Sequence, residues 1–162
     1  SAHAVALAAR TFPEHCWVIA NTDRRIPLAD ASIGALFSVT APREPSEFRR
    51  VLAAGGRAFV VVPAPDDLCE LRSKLLGENS AHERAAVWLE RFAPDWKLES
   101  RSTIADKRLC APCELVDLAL STYRAGRASR VARLGELSAL EVTLAWELLV
   151  LRRAPGSPSL AR

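Results

Sequence analysis

Methionine is absent from the 162 residues, and lysine stands only at positions 74, 97 and 107. The missing Met gives the expectation that Ser1 is a cut point. Glycine is scarce at 7 residues, and no G-x-G-x-G run occurs. Gly55-Gly56 stands alone, so a phosphate-cradling loop is not visible in this stretch. No apolar run approaches the roughly 18 residues of a membrane span. Ala4 to Ala9, between His3 and Arg10, lacks the basic start of a secretory leader, so none is expected there. Cysteine is limited to positions 16, 69, 110 and 113, which is no disulfide framework. A reducing, cytoplasmic setting is expected.

What is present suits one globular domain. Hydrophobic residues make up 49% and charged residues 25%, ordinary values that argue against disorder. The formal charge of +3 is a mild excess, carried almost wholly by arginine. Arginine matches phosphate geometry, but charge alone assigns no nucleic-acid partner.

Periodicity predicts a helix over residues 2–10, ended by Pro13, and a short strand at CWVIA, 16–20. A loop follows to Ala31, then a strand at GALFSV, 34–39. Residues 44–52 have helical spacing, with Phe48, Val51 and Leu52 on one face and a solvated pair, Arg49 and Arg50, on the other. Gly55-Gly56 is expected to cap that helix. RAFVVV, 57–62, reads as a strand. Residues 66–76 read as a helix capped by Asp66 or Asp67 and closed by Gly77. A helix around 81–92, a strand over 96–104, a helix over 113–120 and a strand over 140–152 complete the pattern. Residues 124–136 read as a loop or short helix. Continuous apolar strands between helices imply a mostly parallel sheet covered on both faces, with the last two strands an antiparallel edge pair. In such sheets ligands bind beyond the carboxyl ends of the strands. Those ends are 21–23, 38–42 and 63–65.

These residues resemble a known family. IP at 26–27, LADASIGALFSV at 28–39, EFRRVLAAGG at 47–56 and RAFVVVP at 57–63 are similar to the S-adenosylmethionine-dependent class I methyltransferases. Residues 40–72 are similar more narrowly to the large-subunit 23S rRNA guanine-N1 methyltransferases. Their pattern there is "E-F-x-R-V-L-x-x-G-G" and then "V-V-P-x-x-x-H-L-x-E-L-R". Asp67 stands where that family has His. The resemblance covers residues 1–76 well, and beyond them it rests on element order.

The resemblance implies an α/β, Rossmann-like class I methyltransferase sheet, N-terminally truncated, with antiparallel C-terminal edge strands. Residues 1–153 would be a partial domain and 154–162 a flexible tail. It implies S-adenosyl-L-methionine as cofactor and ribosomal RNA as partner. It places Asn21, Thr22, Asp23 and Ser38 on the cofactor, with adenine near 21–23. Ser38, Thr40, Ala41 and Pro42 would face the methyl group and the base, Ser38, Thr40 and Pro42 being the catalytic candidates. No residue there is an evident general base. Arg43, Arg124 and Arg127 would meet RNA backbone, with Arg130 and Arg133 in the same run. The family's zinc module, Gly-rich loop and ribose-holding acid have no counterpart, so the isolated chain is expected to be inactive. The open sheet edge invites self-association.

Bland alternatives stay open for each residue: a polar turn at 21–23, a Pro-terminated strand at 38–42, solvated arginines elsewhere. Cys110-x-x-Cys113 has no second ligand pair, so no metal is expected. The Trp residues at 17, 88, 96 and 146 read as packing. Two rivals also stand: a small-molecule methyltransferase on the same sheet, and a degenerate domain that pairs with another chain.

Overall fold

The structure is a computed structural model, which describes residues 2–21, 24–41, 44–76, 83–93, 95–121 and 138–154. The elements run α1 Ala2–Thr11, β1 Ile33–Val39, α2 Pro45–Val51, β2 Leu52–Pro63, α3 Cys69–Leu76, α4 Arg84–Phe92, β3 Trp96–Cys110, α5 Pro112–Ser121 and β4 Leu140–Arg153. The sheet has the order β1-β2-β4-β3. β1 and β2 are parallel; β2–β4 and β4–β3 are antiparallel. The sheet is thus mixed rather than mostly parallel.

β2 and β4 take the centre because they are the two strands apolar on both faces. Ala58, Val60, Val62, Leu149 and Leu151 share the first face. There they form one core with Phe48 and Val51 of α2, Ala85 and Phe92 of α4, and Trp96. Phe92 stands edge-on to Trp96 at 5.6 Å, a favoured aromatic geometry. A second core lies on the other face, at the far end of the antiparallel β3–β4 pair. It joins Leu71 and Leu75 of α3 to Cys110, Leu115, Ala119 and Val142.

Several expectations are corrected. Gly55-Gly56 does not cap α2. The helix ends at Val51, Leu52 is its cap residue, and both glycines lie inside β2. The pairing shifts there from Ile33↔Leu52 to Ala35↔Arg57. Gly55 turns the chain at φ +80°, where a Cβ is disfavoured. A Cβ on Gly56 would stand 3.0 Å from the Ala53 carbonyl oxygen and 3.1 Å from that of Gly34. The glycines therefore form a bulge against β1. CWVIA forms no strand, and residues 12–20 are all exposed. Apolar character alone makes no strand where no neighbour supplies hydrogen bonds. β3 runs to Cys110 rather than 104, because β4 offers it a partner along its whole length, from Trp96↔Arg153 to Cys110↔Leu140. α3 starts at Cys69, three residues later than expected from Asp66. Residues 77, 122–137 and 155–162, including the Arg-rich run, lie outside the described residues.

Candidate functional site at the carboxyl ends of β1 and β2

The strand ends are held by motif residues that turn out to be clamps. Arg50 is no solvated side chain. It donates from Nη2 to the Ile26 carbonyl oxygen at 2.8 Å and from Nη1 to that of Leu28 at 2.8 Å. It also pairs with Asp30 at 2.7 Å and Glu47 at 2.8 Å. Glu47 accepts the Ile26 N–H at 2.8 Å. The Arg50 hydrogen bond, foremost, holds the Glu47 carboxyl below its usual value. Arg49 bonds Asp95 at 2.9 Å. Both arginines were expected to face water. Instead they tie the 26–30 loop and the start of β3 to α2.

A second clamp lies in the ELR stretch after β2. Once β2 ends, β4 has lost its neighbour on that side. Two carboxylates take over: Glu70 accepts the Thr143 N–H at 2.9 Å and its hydroxyl at 2.6 Å, and Asp67 accepts the Ala145 N–H at 3.0 Å. Leu68 and Ala64 donate backbone N–H groups to the Thr143 and Ala145 carbonyls at 2.7 and 2.9 Å. The turn and α3 thus continue the ladder. Burial works to raise the Glu70 pKa, but its hydrogen bonds outweigh that and hold it at about 2. Asp67 is displaced upward, chiefly by burial, with the Ala145 bond opposing. Asp67 therefore caps a strand rather than a helix. Arg72 donates to the Pro65 carbonyl at 2.5 Å and fixes the turn itself.

These clamps present Ser38 and Thr40 at the end of β1, beside Val60 and Val61 of β2. Thr40 donates its N–H to the Val61 carbonyl at 3.0 Å. Its φ is +47°, unfavourable for a β-branched residue and of the kind found at ligand sites. Ser38 is 5% exposed, and its hydroxyl has no hydrogen-bond partner among the described residues. A buried polar atom without a partner marks a place where a ligand or water belongs. Asn21 is exposed, with its carbonyl accepting from the N–H groups of Arg24 and Arg25 at 3.1 and 3.2 Å. Thr22, Asp23, Pro42, Arg43, Arg124 and Arg127 lie outside the described residues.

One charged group near this end escaped the sequence reading. Glu147 is 4% exposed on the first face of β4, opposite Val62. Arg101 holds its Oε1, donating from Nε at 2.8 Å and from Nη2, and also bonds Glu83. Glu147 Oε2 has no partner among the described residues. A charged residue in the apolar alternation of β4 was the available signal. Of the cysteines, Cys110 is buried and Cys113 exposed. No group able to hold a metal occurs among the described residues. No helix among them is long and apolar enough to cross a membrane.

The comparisons with known proteins agree with this architecture. No protein-family model matches the chain. A Micromonospora griseorubida protein named as a 23S rRNA (guanine-N1)-methyltransferase is 44% identical over 68 residues, covering 42% of this chain and 23% of its own length. The 23S rRNA (guanine(748)-N1)-methyltransferase of Streptomyces fradiae is 34% identical over 108 residues, covering 59% of this chain and 39% of its own length. A crystal structure named as a methyltransferase, from Bacillus halodurans, superposes with a TM-score of 0.57 at 14% identity. That match covers 96% of this chain and 80% of the other. Its fold is that of the class I methyltransferases.

A geranyl diphosphate methyltransferase solved with S-adenosylmethionine shares that methyltransferase fold at TM-score 0.52 and 13% identity, over 95% of this chain and 66% of its own. The matched stretches cover 23% and 39% of these two relatives' lengths, so the chain matches only part of each. These two sequence relatives are named as 23S rRNA guanine-N1 methyltransferases, and these two solved structures are named as methyltransferases.

Proposed function

We propose that this chain is the target-base side of an S-adenosylmethionine-dependent methyltransferase that modifies guanine N1 in large-subunit ribosomal RNA. One observation carries the reading: relatives named for that reaction are 44% identical to it over 68 residues and 34% over 108 residues. The ends of β1 and β2, where ligands bind in open α/β sheets, supply the place. S-adenosylmethionine would supply the methyl group, and the residues at the ends of β1 and β2 would hold it in line with the guanine N1.

The protein's task is alignment more than acid–base chemistry. Ser38 offers a buried hydroxyl with no partner among the described residues. Thr40 is held by its backbone bond to Val61. Asn21, Thr22 and Asp23 are assigned to the adenine edge, Pro42 to the wall of the base site, and Arg43, Arg124 and Arg127 to RNA phosphates. The Gly-rich loop and the ribose-holding acid come from polypeptide outside these residues, so the isolated chain is inactive. The setting is the cytoplasm, where ribosomal RNA is found.

The test is a chimera in which this chain replaces the matched stretch of the Streptomyces fradiae relative. It is incubated with 23S rRNA and S-adenosylmethionine. A methyl group on guanine N1 blocks base pairing, so primer extension should stop at one guanine. Label transferred to small molecules and not to RNA would overturn the reading. Loss of RNA binding at raised salt is expected in addition.

A further inference from the structure

Glu147 is a charged residue in the apolar row of β4, and it is bonded unevenly. Its side chain is only 5% exposed. An arginine that braces a carboxylate commonly lays its fork across both oxygens. Arg101 instead places both of its donors, Nε and Nη2, on Oε1. Oε2 is buried and has no partner among the described residues. A buried carboxylate oxygen without a donor is costly, and buried polar atoms are as a rule bonded. Oε2 therefore suits a donor that these residues do not supply.

Position in the sheet narrows what that donor is. Glu147 stands opposite Val62, and Ser38 stands opposite Val60. Ser38, Val60, Val62 and Glu147 thus share the first face, at the carboxyl ends of β1 and β2. Ser38 carries another buried oxygen without a partner among the described residues. Two strand spacings across and two residues along separate the two side chains, about 12 Å between Cα atoms in a regular sheet. On its outer side the Glu147 cluster reaches water. Arg101 is 37% exposed, and Glu83, its other partner just before α4, is 49% exposed. Pairs as exposed as that contribute little, so a flat ligand can part Arg101 from Glu83 at small cost and reach the carboxylate behind them.

We infer that Glu147 Oε2 accepts a hydrogen bond from the exocyclic N2 amino group of the target guanine and sets the preference for guanine over a base without that amine. The inference rests on the proposed reaction at guanine N1. Enzymes that modify a base draw it out of the stack and read its Watson–Crick edge by hydrogen bonds. On guanine that edge carries two adjacent donors, N1–H and the N2 amine. N1 must face the methyl group, so N2 is the donor that a fixed carboxylate can hold throughout the transfer. An ionised carboxylate only accepts, and it therefore selects for a donor at that position. Arg101, bonded to the other oxygen, is the positioning residue: it fixes the carboxylate while leaving Oε2 to the base.

The probes are guanosine monophosphate and inosine monophosphate, which differ only in the N2 amine, each titrated into the 162-residue chain without cofactor. The guanine nucleotide should bind about tenfold or more tighter, the worth of one hydrogen bond to a charged acceptor. Glu147→Gln keeps the side-chain volume and should bring the two affinities within about twofold of each other. A purely structural Glu147 would weaken both nucleotides and leave their ratio alone. A second reading needs no variant, so it stands even where Glu147→Gln fails to fold. The magnetic resonance signal of the Arg101 Nε–H, which donates to Oε1, should shift with the guanine nucleotide and stay in place with the inosine one. Equal affinities, binding of neither nucleotide, a preference kept by Glu147→Gln, or an Arg101 signal unmoved by the guanine nucleotide would each overturn the inference. Binding is read without RNA or methyl transfer. A chain that prefers the guanine nucleotide, in a chimera that methylates no ribosomal RNA, counts against the proposed function alone. A methylating chimera built from a chain that treats the two nucleotides alike counts against the role of Glu147 alone.

Discussion

β4 and β1 are both apolar strands, yet they meet opposite fates. β4 is paired on both sides: β3 along its length, then β2, and beyond Pro63 the Asp67 and Glu70 carboxylates. β1 is paired on one side and leaves Phe37 and Val39 in water. The difference lies in what each strand end is given to bond with, not in hydrophobicity. Among the described residues, β4 is closed by side-chain acceptors and β1 keeps one side open.

The contrast can be broken most forcefully at the core. Leu149→Ala, in the closed region, should cost about 3 kcal/mol in denaturant unfolding. Phe37→Ala should shift stability by no more than about 0.5 kcal/mol. Equal losses would mean that β1 is buried in solution. Next comes the bulge that lets β1 approach β2. Gly56→Ala should cost about 2 kcal/mol, because the new methyl meets the Ala53 and Gly34 carbonyls and both are backbone.

Smaller, and dependent on pH, is the Glu70 clamp. Its carboxyl titrates in the folded protein at about 2, below the usual 4.5. A lowered acid pKa stabilises above the unfolded value and ceases to do so as pH falls through the folded one. Glu70→Gln should therefore lose about 1 to 2 kcal/mol at neutral pH. The gap to wild type should close between about pH 4.5 and pH 2. Asp67, displaced upward, contributes the opposite slope. It is present in both proteins, so their difference isolates Glu70. The smallest effect has the opposite sign. Ser38→Ala removes a buried hydroxyl without a partner and should leave stability unchanged or raise it by up to about 1 kcal/mol. A clear destabilisation would mean that the hydroxyl is bonded in solution and is not free for a ligand.

The α/β class was legible from the helix and strand periods, and the family from EFRRVLAAGG and VVPAPDDLCELR. What those motifs do was not. Arg50 reads as surface from its helical spacing, because three of its acceptors come from a loop 20 to 24 residues away in sequence. Asp67 reads as a helix cap, because the strand it serves lies 78 residues downstream. Local patterns report helix and strand. They are silent about which distant backbone group a side chain will satisfy. CWVIA failed for the converse reason: its composition suits a strand, and pairing decides whether one forms. Ser38 was legible as a strand-end residue, but that its hydroxyl is buried without a partner is visible only once β2 lies alongside.

The central claim is that these residues hold one side of a cofactor and base crevice whose other side lies elsewhere. Calorimetric titration of S-adenosylmethionine into the 162-residue chain alone tests it most directly. No binding tighter than about 1 mM, or roughly 4 kcal/mol, is expected. Micromolar binding by the isolated chain would contradict it.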